Sequence, residues 1–271
     1  MNERFSLHKI VEQGKFPFSP EAYSKFKFGC KDTSRDFGIA LADAFAWEYI
    51  IPKKLTKQII VTSSPYCFIP TATFAMKDYF VQRINQYLVQ AELPVVEETK
   101  IHRTVTYKED YGELSAEQRF ALIQNDGFHI DTEFIKDKHL IFLDDIRITG
   151  SHEKVIDRML TQMGIKEHCI FTYFAELVNM EIDPKIENYL NYYFVKSLLD
   201  LDKIIKNDSF LFNTRIVKYM LNSPHEEFKV FINYQRKKFL ETFYYLAIGN
   251  SYYLMDDYKE NLNYLKNLLN N

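Results

Sequence analysis

Two adjacent carboxylates, Asp144 and Asp145, end the apolar run His139–Leu143, and a Thr149-Gly150-Ser151 turn follows them. An amphipathic helix is predicted from there over Ser151–Met163, with Val155, Met159 and Met163 at i, i+4 spacing and Gly164 as its stop. In an open α/β sheet, ligands sit outside the carboxyl ends of strands, so this junction is where a site belongs. Unpaired N–H groups of the turn and first helical turn, with the helix dipole, make a phosphate cradle. Gly150 allows close approach, and the hydroxyls of Thr149 and Ser151 add donors. Beside the cradle, two carboxylates accept from sugar hydroxyls or hold hydrated magnesium. The combination suits a phosphorylated ribose. A strand ending in Asp-Asp also describes a Walker B element, but the chain has no GxxxxGK[ST]. A phosphate-accepting Asp of receiver type and a purely structural acidic turn are the other readings of the string.

The elements that must position these groups are read from apolar runs. Gln58–Thr62, Pro94–Val96 with its continuation, His139–Leu143, Cys169–Phe174 and Tyr192–Val195 each predict a buried strand. Helices are predicted over Thr33–Trp47 and Thr73–Gln90, so strands and helices alternate. The fold class is therefore α/β, a mostly parallel sheet flanked by helices. After about Asn207 strand signals stop, and Pro224–Ile248 and Tyr253–Leu269 predict a helical appendage packed on the core. The division expected is an N-terminal segment 1–22, an α/β core 23–206 and a helical extension 207–271.

Composition narrows the class. The 271 residues are 46% hydrophobic, enough for a sizeable core, and 34 basic against 37 acidic residues give a net charge of −3. That balance gives no footprint for nucleic acid. No signal peptide and no membrane span is read, and the expectation is a soluble, cytoplasmic protein. Cys30, Cys67 and Cys169 form neither a disulfide framework nor a zinc spacing. His152-Glu153 and His225-Glu226 begin like HExxH, but Ile156 and Lys229 stand at the second histidine position. His102, His129 and His168 read as ordinary loop or strand-edge residues.

The segment Leu140–Glu153 resembles the signature of type I phosphoribosyltransferases, which bind 5-phosphoribosyl-1-diphosphate (PRPP). The resemblance covers about Tyr23 to Asp202. It implies that Asp144 and Asp145 contact the ribose hydroxyls, with Mg2+ nearby through water or ribose, and that Ile148, Thr149, Gly150, Ser151 and His152 wrap the 5-phosphate. His152 replaces the hydroxyl residue that ends the signature in many members, and Ile148 stands where some purine-specific members carry an acidic proton-transfer residue. The resemblance also places a pyrophosphate loop at Ser63, Ser64, Pro65 and Tyr66, where family members often have a cis peptide, which Ser64–Pro65 could supply.

Lys100–Arg119 is long and polar, and its Arg103, Lys108 and Arg119 suit a lid closing over pyrophosphate. This stretch with Phe128, and the Tyr23–Gly29 segment YSKFKFG, looks like the competence-associated members, without their cysteine-rich zinc module. Across the whole chain the likeness is to the divergent group found near bacterial stress-response operons. The function implied is magnesium-dependent transfer of phosphoribosyl from PRPP to a small nitrogenous acceptor, with Asp144, Asp145, Arg103 and Lys108 as catalytic residues. The acceptor should lie against Met1–Pro20, the C-terminal helices, or both, and a homodimer is compatible with the reading. The alternative is a non-catalytic PRPP or nucleotide sensor on the same fold.

Overall fold

The computed structural model describes residues 3–53, 57–103, 128–165, 169–206 and 210–270. Its centre is a five-stranded sheet of strands β1 (Glu3–Ile10), β2 (Ile59–Ser63), β3 (Glu97–Glu98), β6 (His139–Arg147) and β7 (Cys169–Leu177). Their order is β1-β7-β6-β2-β3, every pair parallel. A separate two-residue ladder joins β4 (His102–Arg103) to β5 (Phe128–His129). The strands β2, β6 and β7 are buried on both faces, which is why they read as unbroken apolar runs.

Alternate residues feed two cores. Val61, Ile141, Leu143 and Ile170 face helices α1 (Pro20–Lys27), α2 (Lys31–Phe45) and α3 (Ala72–Gln90), whose Phe26, Phe45 and Phe80 join the same cluster. Ile60, Leu140, Phe142 and Phe171 face Ile156, Met159 and Leu160 of α5 (Ser151–Gln162), which is preceded by the short α4 (Thr132–Ile135).

A third core belongs to the C-terminal helices. After α6 (Ile186–Asn191) come α7 (Leu198–Ile205), α8 (Thr214–Leu221), α9 (His225–Asn233), α10 (Lys237–Gly249) and α11 (Asp256–Asn270). Their cluster takes in Leu198 and Leu201 as well as Phe28 and Ile69 from the α/β part. The helical layer thus begins upstream of residue 207 and is continuous with the core. It docks on the loops after α1 and β2: Leu211 N–H donates to Gly29 O, Asn213 Nδ2 to Lys27 O, and Asn250 Oδ1 accepts from the amides of Phe68 and Ile69. Gly29 has φ +83°, and a Cβ there would meet Leu211 O at 2.1 Å, so only glycine permits this approach.

Three expectations need correction. Residues 1–22 do not stand apart, because Glu3–Ile10 is an edge strand paired with β7. Charges at Glu3, Arg4 and Lys9 hide its alternation, as edge strands often do. Tyr192–Val195 is no strand. It follows α6 as a turn whose amides at Phe194 and Val195 are taken by Ser24 Oγ instead of a neighbouring strand. The tail Pro224–Ile248 breaks into α9 and α10 around Tyr234–Arg236. Among the described residues, no helix is long and apolar enough to cross a membrane.

Candidate active site

The carboxyl ends of β2 and β6 open into a cavity of about 680 Å³. Its floor is Asp144–Glu153. One side is the β2–α3 connection with Ser64, Pro65 and Thr71–Thr73, joined by Lys27 of α1, and the roof is the helical layer. Two helices of the α/β part start on this cavity. One is α5, beginning at Ser151, and the other is the long α3, beginning at Ala72. Each N-terminus turns the positive end of a helix dipole toward the cavity.

At the α5 end, Gly150 takes φ +71° as the N-cap residue. A Cβ there would stand 2.6 Å from Nη2 of Arg147, whose guanidinium is held by Glu153 (2.9 Å) and Glu176 (3.2 Å) and so has little room to yield. Thr149 Oγ1 and Ser151 Oγ lie 2.8 Å apart at the mouth of the turn. Ile148 is buried in the core and borders the cavity. At the α3 end, Thr71 is the N-cap residue without a side-chain cap bond, and its buried hydroxyl has no hydrogen-bond partner among the described residues.

Asp144 joins the two ends. Its Oδ1 accepts from Ser64 Oγ (2.5 Å), Thr73 Oγ1 (3.3 Å) and the Asp145 amide (3.0 Å), and its Oδ2 lies 3.3 Å from His152 Nδ1. Asp145 is enclosed. Lys27 Nζ sits 2.5 Å from its Oδ2, the Tyr23 hydroxyl donates to the same oxygen, and Thr73 Oγ1 lies 3.1 Å from Oδ1. Burial by itself would raise the Asp145 pKa. The charge and hydrogen bond of Lys27, with the hydrogen bonds of Tyr23 and Asp144, outweigh it and bring the group from 3.8 to about 2. Burial, followed by the Asp145 charge, pushes the Tyr23 phenol well above its ordinary value. Asp145 is therefore ionised at neutral pH and part of the fold as much as of the site.

The sequence-predicted residues divide accordingly. Asp144, Asp145 and Ile148–His152 come together on the floor, with Ser64 and Pro65 beside them. Ser63 ends β2 opposite Leu143, and the Tyr66 ring stacks edge-on with Phe74 beneath the Lys100 ammonium. The Ser64–Pro65 bond is trans, since no cis peptide occurs among the described residues. Arg103 lines the cavity, whereas Lys108 and Arg119 lie outside the described residues. Residues not foreseen as site members are Tyr23, which reaches the site through Asp145, and Lys27, Thr73, Arg147, and on the roof Lys196, Arg215, Lys218 and Tyr219, which line the cavity. The YSKFKFG segment held the signal for the first two. On α8, Ile216, Val217, Met220 and Leu221 are fully buried in the helical core while Arg215, Lys218, Tyr219 and Asn222 line the cavity, so the polar face of this amphipathic helix is a site wall.

As for magnesium, no cluster of three or more His, Cys, Asp or Glu that could hold a metal ion occurs among the described residues. The oxygens of Asp144 and Asp145 already accept from protein donors, so the donor set fits an indirect, outer contact with a hydrated ion and not a dedicated cage.

The mostly parallel five-stranded sheet flanked by helices is a phosphoribosyltransferase-like fold. The chain belongs to the family described as PRTase ComF-like, whose model matches residues 1–265. No curated protein matches the chain. Similar solved structures include a hypoxanthine phosphoribosyltransferase from Staphylococcus aureus, 11% identical over 55% of this chain and 75% of that one, with a TM-score of 0.31. Another is a hypoxanthine phosphoribosyltransferase from Trypanosoma cruzi complexed with the product IMP, 12% identical over 55% and 76%, with a TM-score of 0.35. A purine phosphoribosyltransferase from Pyrococcus horikoshii is 17% identical over 55% and 90%, with a TM-score of 0.26.

Proposed function

We propose that the protein transfers phosphoribosyl from PRPP to a nitrogenous acceptor and releases pyrophosphate, with Mg2+ as cofactor. The observation that carries the reading is the pair of helix N-termini converging on one cavity with Asp144 bonded between them. PRPP has an anion at each end of a ribose, and the cavity has an anion site at each end of a carboxylate. The turn Ile148–His152 takes the 5-phosphate, and the start of α3 with Ser64 and Thr71 takes the pyrophosphate. Asp144 holds the ribose hydroxyls and favours positive charge on the ring as the C1–O bond breaks. The electron pair of that bond leaves with pyrophosphate, and the acceptor nitrogen supplies the pair for the new C1–N bond. Asp144 and Asp145 would hold hydrated Mg2+ through water, and the ion would supply charge neutralisation for the leaving pyrophosphate. Arg103 adds to that neutralisation from the lid side. The acceptor lies against the roof, between α8 and Tyr192.

The ion pair of Asp145 with Lys27 favours a second reading, in which the site binds PRPP or a nucleotide without turnover, because one of the two carboxylates is already engaged. Incubation with PRPP, Mg2+ and a panel of nucleobases separates the two. Pyrophosphate release with any acceptor supports transfer, and saturable PRPP binding with no release across the panel supports the sensor.

A further inference from the structure

The turn at Gly150 has a cation at its back that neither the strand nor the helix requires. Arg147, the last residue of β6, is only 17% exposed at its side chain and lines the cavity. Its Nε bonds Glu153 and its Nη1 bonds Glu176, and Nη2 lies against Gly150. A guanidinium carries five donors in a rigid plane, so two anchors fix its orientation and leave donors for a third acceptor.

Electrostatics point the same way. Glu153 lies in the first turn of α5 on the wall of the cavity, where its charge would repel a phosphate and offset the helix dipole. Arg4 of β1 neutralises it, with Nη2–Oε1 at 2.5 Å and Nε–Oε2 at 3.0 Å, and the Tyr173 hydroxyl donates to it at 3.1 Å. Glu176 is shared by Arg4 (3.3 Å), Arg147 (3.2 Å) and Ser6 Oγ (2.9 Å). Two arginines thus balance two glutamates, and of the two arginines it is Arg147 that lines the cavity. His152 meanwhile directs Nδ1 at Asp144.

We infer that Arg147 is a phosphate-binding residue, whose guanidinium, oriented by Glu153 and Glu176 beside Gly150, bonds an oxygen of the phosphomonoester seated in the Ile148–His152 turn. The inference rests on the reading of that turn as the 5-phosphate site. It gives the N-terminal strand a role at the site, since Arg4 completes the network that aims Arg147.

The test is calorimetric titration of the full chain, as wild type, R147Q and R147K, with ribose 5-phosphate and separately with magnesium pyrophosphate. Wild type binds both. R147Q weakens ribose 5-phosphate at least tenfold and pyrophosphate less than twofold, and R147K falls between, because an ammonium cannot span both glutamates and the phosphate. Ribose 5-phosphate binding within twofold of wild type in both variants overturns the assignment while leaving the turn as the phosphate site. Equal weakening of the two ligands overturns it too, marking a merely structural arginine. If R147Q does not fold, R147K decides alone by the same twofold criterion. A wild type that binds pyrophosphate but no ribose 5-phosphate overturns both the assignment and the reading of the turn.

Discussion

The floor of the cavity is one uninterrupted stretch, Asp144–Glu153, which presents a turn, a helix start, two carboxylates and the Arg147 guanidinium. The roof gathers Tyr192, Lys196, Arg215 and Lys218, long polar residues from separate segments. Backbone cradles bind what every substrate of a class shares, in the proposed function a phosphate, and depend on φ/ψ more than on side-chain identity. Side-chain walls are free to vary and are where one acceptor is told from another. Changes to the floor should therefore remove binding or folding, and changes to the roof should alter which acceptor is used.

The largest effect is expected at Asp145, where floor and fold coincide. D145N leaves the Lys27 ammonium buried without its counter-charge and should cost about 3–5 kcal/mol, with K27M/D145N recovering most of it. Chemical denaturation of the three proteins measures this. The pH dependence follows. The carboxyl is lowered from 3.8 unfolded to about 2 folded, so its stabilisation is fully present above about pH 4 and is lost as pH falls toward 2. D145N should lack that part of the acid transition in near-UV circular dichroism.

G150A comes next. The left-handed backbone and the contact with Arg147 should cost ~1–3 kcal/mol of stability, and PRPP affinity should drop on the order of a hundredfold. Calorimetry checks it, and near-normal affinity would mean that the cradle does not hold the phosphate. R103A should lower turnover by about a hundredfold while changing PRPP affinity less than tenfold, because charge on the pyrophosphate builds mainly in the transition state. A binding defect without a rate defect would assign Arg103 to the ground state. Smallest is the roof: K218A and Y219A should raise the acceptor KM by roughly five- to tenfold and leave PRPP affinity within twofold. If instead PRPP affinity falls and acceptor KM holds, floor and roof have exchanged roles.

This division also explains what the sequence disclosed. Leu140–Glu153 was legible because strand, carboxylates, glycine and helix start are contiguous, so local rules suffice. The start of α3 was legible for the same reason. The Lys27–Asp145 pair joins residues 118 apart, and although the YSKFKFG segment marks this stretch, it does not say which acid Lys27 meets. Arg147 alternates as a strand end should, and its partner Glu176, which it shares with Arg4, joins it to two other strands. The amphipathic pattern of α8 does not tell whether its polar face meets water or a ligand. Tyr192–Val195 has strand propensity, yet Ser24 takes the backbone groups a neighbouring strand would have used.

The central claim is that one cavity holds an anion at each end, and titration of wild type with PRPP, ribose 5-phosphate and pyrophosphate under magnesium tests it most directly. A ligand bound only by the folded state raises its stability by RT ln(1 + [L]/Kd), so thermal melts report the same binding. The account predicts that each half-ligand binds alone, that both stabilise the fold together, and that PRPP competes with both and binds more tightly than either. No shift in Tm with millimolar PRPP, or two half-ligands that exclude one another, would contradict it.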